Sequence, residues 1–113
     1  MGSPEAIYTS TTFDPPPGMK ITRSFGTTFG VVVRSVGFAK GLTGSVRSLK
    51  AGEVPQYTQV LEDSRRHALD RMIANAGVMG ANGVLAVRFD SAEIGQGLAE
   101  VVAYGTAVTL EAT

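Results

Sequence analysis

Apolar and small residues recur at helical spacing beyond Pro55, with Tyr57, Val60, Leu61, Ser64, Ala68, Leu69, Met72, Ile73 and Ala76 on one stripe. The fixed φ of Pro55 suits a first helical turn, and Gly80 followed by Asn82 and Gly83 supplies a stop. The pattern predicts one long helix. Downstream the period falls to two: Leu85, Val87 and Phe89 alternate with Ala86, Arg88 and Asp90, which predicts a strand with its apolar set on one face. Gly95, Gln96 and Gly97 stand where a hairpin turn belongs. The returning run, 98–110, separates a face of Ala99, Val101, Ala103, Gly105 and Ala107 from one of Leu98, Val102, Tyr104 and Val108. A helix can approach small side chains closely, so the long helix is expected on the first face. The bulkier face is left for another layer or another subunit.

Upstream, residues 7–12 are β-prone, and Pro15, Pro16 and Pro17 make 13–18 a rigid connection without regular structure. From 19 to 36 β-branched and aromatic residues dominate, with Ile21, Phe25, Phe29 and the run Val31, Val32, Val33. Gly26 and Gly30 mark bends or bulges, so this stretch is one kinked strand or two short ones. Phe38, Leu42, Val46 and Leu49 follow at steps of four, four and three, the spacing of a short helix. Gly41 and Gly44 would each cost that helix about 1 kcal/mol, so its persistence needs packing against the rest of the chain or another subunit. The expected fold is a two-layer α/β (α+β) domain with a β-α-β-β core over 7–113. Residues 1–6 are expected to be a disordered or expression-derived N-terminus.

A chain of 113 residues with 43% hydrophobic content fits one core. Such a short domain leaves much of its surface in water, and burial against copies of itself is an effective remedy. Ten basic residues balance ten acidic ones, so no global field exists to hold nucleic acid or anionic lipid, and neither is expected as a partner. Lys40, Arg47 and Lys50 lie close together but read as a solvated face. Without cysteine there is no disulfide, thiolate metal site or thiol nucleophile, and the chain fits a reducing compartment. No run of about 18 apolar residues occurs, so no membrane span is expected, and the expected location is cytoplasmic.

Several motifs stand together in order: Gly52-Glu-Val-Pro-Gln-Tyr57, the helix ending Met79-Gly80-Ala81-Asn82-Gly83, the strand Val87-Arg88-Phe89-Asp90 and the closing Tyr104-Gly105-Thr106-Ala107-Val108. In these the chain resembles the YbjQ family over about residues 8–108. The resemblance implies a dodecin-subunit-like fold, one helix on a curved, mainly antiparallel sheet, assembled as a ring that is commonly a pentamer. It also implies a heavy-metal-binding label. Soft metals prefer thiolate or imidazole, however, and the chain offers no cysteine, one histidine (His67) and the thioethers of Met1, Met19, Met72 and Met79. No cofactor is therefore expected, a metal ion being the one alternative.

The weak metal candidates are Asp63, His67 and Asp70, placed four and three residues apart on one helix. They are too few for a closed site within one chain, and a solvated helix face explains them better. Arg88, Asp90, Glu93 and Glu100 gather around the last hairpin, where a cross-strand salt bridge or an intersubunit contact is expected rather than acid/base chemistry. Gly41-Leu-Thr-Gly44, with Lys40 and Ser45, lacks the spacing of a phosphate loop and reads as a flexible loop. Tyr57 is expected in the core or an interface. Phe25, Phe29, Phe38, Leu42, Val46, Leu49 and Tyr104 are the interface candidates. No nucleophile, base and orienting partner can be named, so a non-catalytic homo-oligomer is the expected function. Metal or small-ligand binding at subunit interfaces is the alternative.

Overall fold

A computed structural model describes residues 7–35, 55–95 and 97–113. Five elements follow one another: β1 (Tyr8–Thr9), β2 (Met19–Ser35), α1 (Pro55–Met79), β3 (Gly83–Gly95) and β4 (Leu98–Ala112). The sheet order is β1-β3-β4-β2. β4 pairs antiparallel with both β3 and β2, while β1 joins β3 in parallel over two residues. The expected strand, helix, strand, strand core is therefore present, with a short strand added at one edge. The expected short helix over 38–49 lies outside the described residues.

α1 packs on one face of the sheet through Ser64, Ala68, Met72 and Ala76, one buried residue every four positions. These meet Val101, Ala103 and Ala107 of β4 and Val32 of β2, so the helix lies on the small-residue face, as its composition predicts. The approach is close enough to engage backbone. The Thr28 hydroxyl donates to the Met72 carbonyl at 3.2 Å, and a Cβ on Gly30 would fall onto the helix backbone at Ala68 and Met72. Gly30 is thus a contact point and not a bend, whereas Gly26, with φ of +89°, does sit at a bulge. β2 is one long strand carrying two such irregularities.

Gly80 ends α1 in the left-handed conformation, φ +97°. Its N–H donates to the Gly77 carbonyl at 3.0 Å and that of Ala81 to Ala76 at 3.1 Å, the paired bonds that close a helix behind a glycine. Asn82 then ties the helix exit to β4: its side chain donates to the Leu110 carbonyl at 2.9 Å and accepts from the Leu110 N–H at 2.7 Å.

β3 corrects one expectation. Leu85, Val87 and Phe89 do not share a face, because an extra residue is inserted between Leu85 and Arg88 and Ala86 adopts φ +57°. Val84, Val87 and Phe89 join the core under α1, while Leu85 turns to the opposite face with Val108, Leu110 and Met19. The bulge also aims two successive N–H groups outward: Ala86 donates to Thr12 at 2.8 Å and Val87 to Ser10 at 2.9 Å. The segment leading away from β1 is thereby held along the edge of β3. The chain is long, 56 × 25 × 21 Å, with a radius of gyration of 17.4 Å against about 13 Å for a compact chain of this size.

Candidate functional site: a groove between the helix and the sheet edge

β2 is an edge strand, and α1 leans over that edge. Helix side chains satisfy its outward carbonyls: the Asn75 amide donates to Phe29 at 2.7 Å and Arg71 donates to Val31 at 3.2 Å. Between strand and helix runs an open groove. One part, about 520 Å³, is lined by Val32, Val33, Arg34, His67, Asp70 and Arg71. A second, about 340 Å³, continues past Arg71 to Phe29, Gly30, Val31, Ala74 and Asn75. The groove exists because Gly30 lets the helix touch the strand there, while the longer side chains of His67, Asp70 and Arg71 project beyond the contact.

The half-buried Arg34 lies 2.6 Å from His67 Nδ1 through its Nη2. A guanidinium only donates, so Nδ1 accepts and the neutral ring carries its proton on Nε2. Among the described residues neither Arg34 nor Arg71 pairs with a carboxylate; their described hydrogen bonds go to an imidazole and a peptide carbonyl. Among the described residues the groove therefore presents two guanidinium groups and one carboxylate, Asp70.

This geometry decides among the sequence candidates. His67 and Asp70 do meet in the groove, but Asp63 is engaged by the Gln59 amide at 3.0 Å, and no group of three metal-type ligands exists among the described residues. Around the last hairpin the expected cross-strand salt bridge is absent among the described residues. Arg88 instead donates to the Thr11 and Val87 carbonyls at 2.9 Å and lies 5.5 Å over the Phe13 ring, fastening the proline segment to the sheet. Asp90, Glu93 and Glu100 are left without an ion pair among the described residues.

The interface candidates divide. Phe29 (55% exposed) and Tyr104 (38%) face each other across β2 and β4 on the sheet face away from α1. Val31 and Val102 form the next row, followed by Val33 (52% exposed) beside Glu100. Phe25 is half-buried against the main core with Arg23 4.7 Å over its ring, so much of its surface is spent within the chain. Phe38, Leu42, Val46, Leu49 and the Gly41-Leu-Thr-Gly44 segment lie outside the described residues, as does the side chain of Tyr57. Sequence reasoning missed Arg34, Arg71 and Asn75. Arg34 sits at the end of a valine run 33 positions from His67, and only the packing of α1 on β2 joins them.

A helix laid on one face of a four-stranded mixed sheet defines a small α+β domain. The profile of a family described as "Putative heavy-metal-binding" matches residues 7–111. A UPF0145 protein of Bradyrhizobium sp. (strain ORS 278) is 54% identical over 83% of this chain and 85% of its own length. Another, of Methanoregula boonei, is 50% identical over 96% and 89%, and one of Thermoplasma acidophilum 48% over 84% and 80%. The chain belongs to this YbjQ (UPF0145) family. Among solved structures it is similar to a DUF74-family protein of unknown function from Pediococcus pentosaceus, with TM-score 0.48 and 10% identity over 93% of this chain and 98% of the other.

The groove does not fit a heavy-metal cation. His67 Nδ1 is occupied by Arg34, two guanidinium charges stand beside the ring, and Asp70 is the one anionic ligand in the lining.

Proposed function

We propose that this chain is a non-catalytic subunit of a cytoplasmic homo-oligomer, a ring of five copies as the family resemblance implies. The observation that carries the reading is the exposed stretch of the sheet face away from α1, where Phe29, Val31, Val33, Val102 and Tyr104 adjoin one another across β2 and β4. A monomer rarely leaves a contiguous apolar surface of this kind in water. The elongated shape of the chain supports the same reading, since it leaves surface that a neighbouring copy would cover. Among the described residues no helix is long and apolar enough to cross a membrane. Sedimentation equilibrium of the purified protein should give a mass near five times the 11.8 kDa of one chain. A stable monomer at micromolar concentration would remove the reading.

A second reading, small-ligand binding, draws on the groove beside Arg34 and Arg71. Calorimetric titration with zinc, copper and nickel salts tests its metal form: saturable heat supports a cation site, and silence leaves it to other ligands.

A further inference from the structure

We propose that the groove between α1 and the edge strand β2 is a binding site for a phosphate-type oxyanion, free or carried as the monoester of a small molecule, held by Arg34, Arg71 and His67. All three line the larger part of the groove within one protomer, so the proposal stands apart from the reading of self-assembly. Arg34 spends one donor on His67 Nδ1 and Arg71 one on the Val31 carbonyl, which fixes both forks and leaves their remaining N–H groups without a partner among the described residues. The bond from Arg34 also sets the His67 tautomer, so Nε2 is a donor as well. Three donor groups from two elements suit the several oxygens of a phosphate. A carboxylate, with two oxygens in one plane, would be satisfied by a single guanidinium fork.

The charge balance agrees. With no carboxylate paired to either arginine among the described residues, an incoming anion need displace no existing salt bridge. Asp70 opposes the anion and weakens the site without cancelling it, because it is one carboxylate against two guanidinium groups. The volume of about 520 Å³ exceeds what bare phosphate fills and leaves room for a small organic remainder.

The test is titration of the full chain with inorganic phosphate and with glycerol phosphate, followed by calorimetry and amide chemical shifts, alongside zinc chloride as the ion of opposite charge. Saturable binding is expected, with shifts confined to residues lining the groove. Arg34→Gln and Arg71→Gln should each weaken it about tenfold or more, as expected for loss of a charged hydrogen bond. Arg71→Lys should recover part of the loss. Asp70→Asn should tighten oxyanion binding several-fold, the sign that separates this site from a cation site, where the same change would weaken binding. Unchanged helix content by circular dichroism shows that the variants fold. Binding of the ester alone identifies the monoester as the source of the phosphate group; binding of both at similar strength identifies free phosphate as sufficient. Absence of saturable binding by either at millimolar concentration, no loss in Arg71→Gln, or weakening in Asp70→Asn would each overturn the proposal.

Discussion

The two faces of β4 carry similar hydrophobicity and meet opposite fates. Val101, Ala103, Gly105 and Ala107 are sealed beneath the helix and the neighbouring strand, while Val102 and Tyr104, their immediate neighbours in sequence, look into solvent beside Val31 and Phe29. Size separates them. The sealed face is small enough for backbone to approach backbone, to the point that Gly30 has no room for a Cβ beneath α1. The open stretch carries rings and branched chains, too bulky for backbone to approach so closely. Close packing under the helix and exposed bulk thus fall on alternate residues of one strand.

The largest effects should come from the sealed face. Met72 is fully buried, so Met72→Ala should cost about 3 kcal/mol, read as a shifted midpoint in urea with an unchanged slope. A normal midpoint would mean that the helix contact contributes little. Gly30→Ala should cost about 2 kcal/mol, because the atoms in its way are helix backbone and cannot swing aside. Asn82→Ala, which removes both side-chain bonds to Leu110, should cost about 1–2 kcal/mol by the same assay.

The open face should behave differently. Phe29→Ser removes no core contact, so its effect should depend on protein concentration: the wild-type Tm should rise with concentration and that of the variant should not. Parallel behaviour of the two proteins would deny the open face a role in association. The smallest effect has the opposite sign. Ala86→Gly should stabilise by about 0.5 kcal/mol, since relief at φ +57° slightly outweighs the added freedom of the unfolded chain.

Much of this contrast is legible in the sequence. The helix bounds follow from Pro55 and Gly80, and the division of 98–110 into a small and a bulky face assigns the helix to its side. Leu85 is misassigned for a physical reason: the bulge that reverses it rests on a left-handed alanine, and alanine gives no sign of that conformation as glycine would. Gly30 is visible as a glycine, but the close approach of α1 and a bend leave the same mark in a sequence. Of the groove, His67 and Asp70 are legible because they share a helix. Arg34 and Arg71 become partners of one cavity only through a contact between residues 30–40 positions apart. Arg88 is a related case: its place among Asp90, Glu93 and Glu100 suggests a cross-strand salt bridge or an intersubunit contact, and within the chain the nearby proline segment offers it carbonyls and a ring instead.

The most direct test of the central claim is the solution mass of Tyr104→Lys beside that of the wild type, both by light scattering at micromolar concentration. Placing a charge between Phe29 and Arg88 on the open face should leave the circular dichroism spectrum unchanged and reduce the assembled particle to single chains. A variant that keeps the wild-type assembled mass, or a wild type already monomeric, would contradict the account.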